Sequence, residues 1–509
     1  MPITSRVRSI IRAILLLCAL PGIYEAGASI AFVLRERKAN ADFAALRLPV
    51  EPAPFRGERL LVIAPHCDDE TLGCGGLMQQ TLRDGGDVEV AFLTNGDAFR
   101  TAVECMTHRV NVTPSDFIRF ADLRQRESTR VLEYLGVKPS HILFLGYPDQ
   151  GSMNIWHYHW LSSSPFTSPY TRCSASPYAV CYHPGAPYSG ESIVSDLQQV
   201  IRQYRPTLIT VTHPSDDHVD HVGAEAFTHT ALDLLRLSPA DSGWANRIKL
   251  QYYLVHHGDW PIPQGIYTKL PLTPPRPLAY LDTHWIELPL THAQVLKKLH
   301  AINMYHSQTA MMGRFLDSFA RSTEIFGTLD KQTIGSVGGS LNPGSQSWST
   351  LSPVLLNPLR DGIMRALNGD ANISAVYMAL HADSLVVMVK YRDNISAHYH
   401  YYVTLRPFSR EGQSSMSAIN LLYTPGVAHA ADGVVFQQRG QSLVVRIPWS
   451  LVLKHTMGSA PVLAGISAST TIGNVLVDKT GIRLVHFGAE PSRVNGAQIT
   501  AYNATGRRF

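Results

Sequence analysis

The sequence predicts an α/β domain with a mostly parallel sheet flanked by helices, followed by an all-β sandwich. Up to about residue 240, short strand-like runs alternate with helical patterns, which is typical of a parallel sheet covered on both faces. After a segment rich in Gly, Ser and Pro at 335–349, short apolar runs separated by turn residues replace this alternation. A chain of 509 residues is long enough for two or three such domains.

The first half contains four apolar runs that we predict to be strands, at 59–64, 88–93, 141–145 and 207–212. The helical patterns that alternate with them cover about 71–84, 119–135, 191–204 and 222–236. A long insertion at 152–190 carries several aromatic residues, among them Trp156 and Trp160. Loops of this length in compact domains are usually functional or disordered. These rings fit either a wall that stacks on a sugar or a hydrophobic anchor for the loop.

Beyond residue 240, strand-like runs at 249–257 and 285–290 precede predicted helices at 291–305 and about 313–322. The predicted sandwich runs are 375–379, 384–391, 399–405, 433–437, 442–447, 465–470 and 484–487. We therefore divide the chain into an N-terminal segment (1–40), a linker (41–57), the α/β domain (58–334), a second linker (335–349) and the sandwich (350–509).

The N-terminal segment predicts a membrane-anchored or exported protein, with its folded domains outside the cytoplasm. The apolar stretch 13–34 is long enough to span a bilayer, and arginines flank it on both sides. A basic start, a shorter apolar core and small residues at 26–28 also suit a cleavable signal peptide, although we favour a retained anchor. The flanking arginines leave the orientation open.

Composition sets broad limits on function. The chain is 45% hydrophobic and 17% charged, as expected for a globular protein. Its net charge of +4 is small and is not gathered in basic blocks, so nucleic acid is not an expected partner. Cys173 and Cys181 flank a Ser-, Pro- and Tyr-rich loop and are either bridged in an oxidising compartment or free thiols. The sequence does not predict an oligomeric state.

Two short segments hold most of the residues capable of chemistry. Each follows a predicted strand, at the sheet edge where open α/β folds bind ligands. The segments are Pro65-His66-Cys67-Asp68-Asp69-Glu70 and His213-Pro214-Ser215-Asp216-Asp217-His218-Val219-Asp220-His221.

Two imidazoles and a carboxylate from these segments form a suitable ligand set for one Zn²⁺ ion. We assign His66, Asp69 and His221 as the ligands, because three protein donors leave a fourth position for water, as in catalytic zinc sites. Asp68, beside a ligand but outside the set, is the predicted general base. A protonated His218, oriented by Asp220, is predicted to stabilise an oxyanion and then to protonate a leaving amine.

The same segments resemble the signatures of a known family. Ala64 to Gly76, with the quoted first segment inside it, is similar to the first signature of the PIG-L/LmbE-like zinc de-N-acetylases, and the second segment resembles their HPxDxHxDH signature. Weaker features follow in order, including Thr94-Asn95-Gly96-Asp97, and Lys297 or Lys298 ahead of Tyr305. The resemblance covers roughly residues 58–327 and implies a Rossmann-like fold.

The family pattern also implies residue roles at matching positions. His66, Asp69 and His221 match its metal ligands, Asp68 its base, and His218 with Asp220 its charge-stabilising pair. Arg124 and Asp149 match positions that hold the hydroxyls of an N-acetylglucosamine-type substrate. Two positions depart from the pattern. Cys67 stands where many members have Pro, and we expect it to be a packed small residue. Asp216 stands where the mycothiol-pathway branch has a tyrosine, so no phenol is expected to assist the reaction.

The C-terminal runs from Ser384 to Trp449 resemble DOMON or family-9-type carbohydrate-binding modules, which leaves open whether the sandwich binds glycan or packs on the enzyme. The leading hypothesis is a zinc-dependent hydrolase that removes an acetyl group from an N-acetylglucosamine-containing glycan or glycoconjugate. Two alternatives stay open. One is a zinc amidohydrolase that acts on a non-sugar N-acyl substrate. The other is a non-catalytic glycan-binding protein, against which Asp68 argues because such a protein does not need a general base.

Overall fold

The computed structural model describes residues 48–50, 56–279, 281–358, 369–427 and 432–488. The predicted N-terminal anchor and most of the first linker lie outside these residues. Within the described ranges, no helix has both the length and the apolar character needed to span a bilayer. The membrane-anchored or exported location therefore stays a prediction.

A seven-stranded sheet forms the centre of the first domain. Its strands are β1 (Arg59–Ala64), β2 (Asp87–Thr94), β3 (Ile142–Tyr147), β4 (Leu208–Thr212), β5 (Lys249–Tyr253), β6 (Thr283–Pro289) and β7 (Thr323–Leu329). Their order is β3-β2-β1-β4-β5-β7-β6. The first five run parallel, and β7 and β6 pair antiparallel at one end. This arrangement confirms the predicted mostly parallel sheet.

Helices cover both faces of this sheet. They are Asp69–Arg83, Arg100–Thr107, Pro114–Leu135, Ser152–Tyr158, Gly190–Tyr204, Val219–Leu237, Ser242–Ala245, Arg276–Ala279, His292–Asn303 and His306–Asp317. The predicted helices agree with these within a few residues, except that the last begins at His306 and not near 313. Pro114–Leu135 starts with a capping box between Thr113 and Asp116 and ends at Gly136, whose φ of 108° suits a glycine.

The chain order places a crevice between β1 and β4. From β1 the chain proceeds to β2 on one side, whereas β4 lies on the other side, so the crossovers diverge at this point. Ligands of open α/β sheets bind at such a switch point, beyond the carboxyl ends of the strands. Both motif segments, 65–70 and 213–221, leave the sheet here, one after Ala64 and one after Thr212.

Two further sheets form the predicted all-β C-terminal part. Their strands are β8 (Gln332–Ile334), β9 (Leu355–Leu356), β10 (Ile373–His381), β11 (Ser384–Tyr391), β12 (His400–Ser409), β13 (Ile419–Tyr423), β14 (Val435–Arg439), β15 (Ser442–Pro448), β16 (Pro461–Ile472), β17 (Val475–Lys479) and β18 (Arg483–Phe487), with one short helix at Trp449–His455. One sheet has the order β14-β15-β11-β10-β9. The other has β13-β12-β16-β18-β8, with β17 paired to β16.

Residues 335–349, the predicted second linker, lie against this sandwich. Leu341 and Trp348 are buried and pack with Ala379, Val386 and Val444. The segment therefore contributes apolar contacts to the second domain. The exact domain limits stay a prediction.

The predicted insertion at 152–190 begins with the helix Ser152–Tyr158 and anchors on the sandwich. Trp156 and Trp160 are each 1% exposed, and both rings contact Phe408 of β12. Their burial fits the hydrophobic-anchor interpretation and removes these two rings from any sugar-stacking wall. Among the described cysteines, Cys173 and Cys181 are free thiols.

A buried ion pair fixes the helix Asp69–Arg83 against the sheet. Lys298 Nζ lies 2.6 Å from Glu324 Oε1, and both side chains are fully buried. Lys298 also donates to Leu72 O at 2.7 Å, while Glu324 accepts the backbone N–H groups of Gly76 and Leu77. The pair therefore holds the first half of the helix that carries Asp69.

Replacing Lys298 by Met should lower the free energy of unfolding by about 3–5 kcal/mol, because Glu324 would keep a buried charge without its cation. Lys297→Met is the matched control. Lys297 lies over the Tyr134 ring and is only partly buried, so its loss should cost less than about 1 kcal/mol. Denaturant unfolding of both variants measures the difference. Similar losses for the two would show that the ion pair does not hold this helix.

Candidate metal centre

The donor atoms of His66, Asp69 and His221 converge at the crevice between β1 and β4. His66 Nδ1 lies 3.2 Å from Asp69 Oδ2, His221 Nε2 lies 3.1 Å from the same oxygen, and the two nitrogens are 3.3 Å apart. Ligands of tetrahedral Zn²⁺ with bonds of about 2.0–2.1 Å are about 3.3 Å from one another. The three predicted ligands therefore fit one zinc ion with a fourth position left over.

Each histidine of this triangle has a carboxylate on its other ring nitrogen. His221 Nδ1 is 3.1 Å from Asp216 Oδ2, and His66 Nε2 is 3.3 Å from Asp149 Oδ1 and 3.4 Å from Asp220 Oδ2. Carboxylates in this position fix the orientation of a metal-binding imidazole and increase its basicity. These carboxylates therefore favour metal binding through His66 Nδ1 and His221 Nε2.

The chain also places His66 Nε2, Asp149 and Asp220 close enough to hold a cation. Protein donors already occupy these two carboxylates. Asp220 accepts Gln150 N at 2.6 Å and Ser152 Oγ at 2.5 Å, and Asp149 accepts Ala98 N at 2.7 Å. We therefore infer that Asp149 and Asp220 orient His66 through its Nε2. The metal would bind on the other side of the ring, at His66 Nδ1 together with Asp69 and His221.

Burial and neighbouring charge set the protonation of the site. Burial lowers the pKa of His221, but Asp216 and Asp69 outweigh it and raise that pKa to about 9. Burial raises the pKa of Asp69, but His221 and His66 outweigh this effect and hold that pKa well below its ordinary value. The site thus gathers buried negative charge, which a divalent cation would neutralise.

Asp68 stands beside the triangle at the start of the helix Asp69–Arg83. Its φ of 133° is a strained backbone conformation for a residue other than glycine. Burial raises its pKa to about 8, against the effect of the nearby Arg124, whose Nη2 lies 3.4 Å from Asp68 Oδ1. The side chain faces the cavity, as a general base must.

Arg124 is buried, with 4% of its surface exposed. Its Nη1 donates to Gly96 O at 2.8 Å, and its Nη2 donates to Cys67 O at 2.5 Å. Gly96 has a φ of 64°, and an added Cβ there would lie 1.8 Å from Nη1. The Thr94-Asn95-Gly96-Asp97 segment therefore packs against the Arg124 guanidinium. Through its two hydrogen bonds, Arg124 connects the loop after β1 to the loop after β2. Cys67 is fully buried in the apolar core.

His218 lies at the cavity mouth, with 30% of its side chain exposed. Its Nδ1 accepts the backbone N–H of Asp220 at 3.2 Å, whereas the Asp220 carboxylate is 3.9 Å away. Burial, followed by the effects of His66 and His221, lowers the pKa of His218 to about 3. Asp220 thus orients His218 through its backbone N–H, with its carboxylate nearby. The role of His218 with Asp220 at the oxyanion stays a prediction.

A cavity of about 410 Å³ opens over the site. Six of the predicted residues line it: His66, Asp68, Asp69, Arg124, Asp149 and His218. Asp220 and His221 are fully buried behind it. The helix His306–Asp317 contributes the apolar side chains of Met312, Phe315 and Leu316 and the amide of Gln308 to its lining.

Sequence reasoning gave no role to several side chains of the site, Asp216 and Tyr170 among them. Asp216 accepts Val255 N and His256 N in addition to contacting His221, so it joins the second segment to the end of β5. Tyr170, from the insertion, lines the cavity beside Gln150. Position within the second motif was a signal for Asp216, but nothing local distinguished Tyr170 from its neighbours.

Replacing Asp216 by Asn should weaken Zn²⁺ binding about 10–100-fold, because His221 would lose the carboxylate that orients it. Asp217→Asn is the matched control, since that neighbouring carboxylate accepts the backbone N–H of Gly258. Its affinity should stay within a few-fold of wild type. Competition against a chromophoric chelator measures both. Wild-type affinity in Asp216→Asn would refute the assigned role.

Comparison with curated proteins identifies relatives of part of the chain. The 1D-myo-inositol 2-acetamido-2-deoxy-alpha-D-glucopyranoside deacetylase of Corynebacterium glutamicum (strain R) is 26% identical over 178 residues, covering 34% of this chain and 53% of that protein. The protein of the same name from Corynebacterium urealyticum is 27% identical over 201 residues, covering 37% of this chain and 53% of that one. The chain thus spans about half the length of the curated relatives it matches.

Among solved structures, the N,N'-diacetylchitobiose deacetylase from Pyrococcus horikoshii is similar to this chain at 19% identity. The match covers 53% of this chain and 84% of that one, with a TM-score of 0.33. The family model described as PIG-L, GlcNAc-PI de-N-acetylase, matches residues 61–232, which include both motif segments. Residues 61–232 therefore form a PIG-L family domain.

Proposed function

We propose that this protein is a zinc-dependent hydrolase that removes an N-acetyl group from an N-acetylglucosamine-containing glycan or glycoconjugate. The triangle of His66, Asp69 and His221, with a carboxylate behind each imidazole, is the observation that carries the proposal. The PIG-L family match and the deacetylases named among the relatives support the reaction type.

The three ligands leave one side of the centre open to the cavity. When bound there, Zn²⁺ would act as a Lewis acid on the amide carbonyl and would increase the acidity of water. The residues that orient the ligands are themselves buried, so the site is set before substrate arrives. Such preorganisation suits hydrolysis of an unactivated amide.

Asp68 and His218 have complementary roles in this scheme. Asp68 takes a proton from the water that attacks the carbonyl carbon, and the new C–O bond leaves negative charge on the carbonyl oxygen. His218 Nε2–H donates a hydrogen bond to that oxygen. When the C–N bond breaks, the amine nitrogen takes the proton that Asp68 holds. A free amine and acetic acid leave, and the acid gives up its proton to solvent as acetate.

The cavity offers both polar and apolar side chains to a sugar. Its lining includes the polar side chains of Arg100, Asp149 and Gln150 and the apolar side chains of Met312 and Phe315. Sugar rings present hydroxyl groups at their edge and C–H groups on their faces, which match these two kinds of side chain. Because Asp149 already contacts His66, a hydroxyl bound there would link substrate position to the metal ligand.

Asp68→Asn should lower the rate of acetate release by about 10²–10⁴-fold, because the isosteric amide cannot accept the proton of the attacking water. Bound zinc should remain, since Asp68 is outside the ligand set. Asp122→Asn, a half-buried residue of the helix Pro114–Leu135, is the matched control and should keep wild-type activity.

The assay uses the full chain and measures acetate and new amines from N-acetylglucosamine, chitooligosaccharides, N-acetylglucosaminyl inositol and N-acetyl amino acids. Release from the saccharides that depends on Asp68 supports the proposal. Release confined to the amino acids would favour the non-sugar amidohydrolase. Equal release by wild type and Asp68→Asn would refute the catalytic scheme, and saccharide binding without any release would favour the glycan-binding alternative.

A further inference from the structure

The turn between β17 and β18 of the sandwich packs closely against the loop that carries the second motif segment, 213–221. An added Cβ at Gly481 would lie 1.9 Å from the carbonyl oxygen of Pro214 and 2.8 Å from its carbon. Gly481 does not have a positive φ, so the close approach and not the backbone conformation requires glycine here. Three residues further along the loop, Lys479 Nζ donates to Asp217 O at 3.2 Å.

The two contacted residues, Pro214 and Asp217, lie on either side of Asp216 in the sequence, and Asp216 orients His221. Besides contacting His221 Nδ1, Asp216 accepts the backbone N–H of His218 at 3.0 Å. A displacement of Pro214 or Asp217 would therefore move the carboxylate that sets both histidines. The loop is held on its other side by the hydrogen bond from Asp217 N to His256 O, at 2.8 Å.

The sandwich also contacts the elements on either side of this loop. His486 Nε2 of β18 lies 2.7 Å from Asp233 Oδ2, on the helix whose first turn carries Asp220 and His221. Arg406 of β12 is fully buried and donates to Trp156 O at 2.6 Å. The sandwich therefore contacts the α/β domain at this loop, at the helix Val219–Leu237 and at the helix Ser152–Tyr158.

We infer that the C-terminal sandwich is a positioning part of the hydrolase, in which Gly481 and Lys479 set the loop 213–218 and, through Asp216, the metal ligand His221. The inference rests on the proposed metal centre. It differs from a sandwich that is a separately attached binding module, because such a module would not need to touch the backbone of a ligand-bearing loop at two points.

Hydrogen exchange of the full chain without metal tests the loop directly. Backbone amides in 213–218 donate hydrogen bonds, including Asp216 N to His213 O and Asp217 N to His256 O, and we expect these amides to be protected from exchange. Gly481→Ala and Lys479→Met should each accelerate exchange in 213–218, by about ten-fold or more for Gly481→Ala. Lys479→Met introduces no clash and so tests the loop if Gly481→Ala folds poorly. Zinc affinity should fall about ten-fold in Gly481→Ala.

Two glycines of the second half provide controls. Gly338→Ala meets no atom within 4 Å and should match wild type in every measurement. Gly465→Ala would place its Cβ 2.5 Å from the Trp156 ring, so it should lower thermal stability through the interface while leaving exchange in 213–218 near wild type.

Wild-type exchange at 213–218 in both folded test variants would overturn the inference, as would an equal effect of Gly465→Ala, which would indicate general loosening of the interface. Exchange is measured on metal-free protein. The exchange rates therefore test the contact between the sandwich and the loop even if the wild type fails to bind zinc or release acetate. Such a failure would count against the proposed function alone.

Discussion

The convergence of buried carboxylates on two imidazoles is the constraint on which the rest of this structure depends. Asp69, Asp149, Asp216 and Asp220 are all at most 5% exposed and all contact His66 or His221. Such a concentration of negative charge is costly in a protein interior unless positive charge or hydrogen-bond donors compensate it. Backbone N–H groups satisfy part of this need, and a divalent cation at the inner triangle would satisfy the remainder.

The fold meets this constraint by bringing together segments that are distant in sequence. Parallel strands β1 and β4 are neighbours, so the residues after their carboxyl ends meet although they are about 150 positions apart. The ion pair of Lys298 with Glu324 then fixes the helix that carries Asp69. The helix Val219–Leu237, which carries His221, is held at its far end by His486 of the sandwich. Each ligand thus has a rigid element behind it.

The sequence was sufficient for the sheet and for the convergence of the motifs, because both follow from short local patterns and from chain order. It was insufficient wherever a partner lies far along the chain. Trp156 could be read as a sugar platform or as an anchor, since its contact with Phe408 joins positions about 250 residues apart. The helix His306–Asp317 was placed too late because its first turn is polar and Met312 interrupts its geometry. Strands β13 and β17 were missed because both are short and partly exposed.

We propose that one zinc ion is held by His66 Nδ1, Asp69 and His221 Nε2. Anomalous X-ray scattering on either side of the zinc absorption edge, from crystals of the zinc-loaded full chain, locates the metal independently of activity. We expect a single peak about 2.0–2.2 Å from these three side chains, with a fourth position facing the cavity. A peak between His66 Nε2, Asp149 and Asp220, or no peak at the ends of β1 and β4, would contradict it.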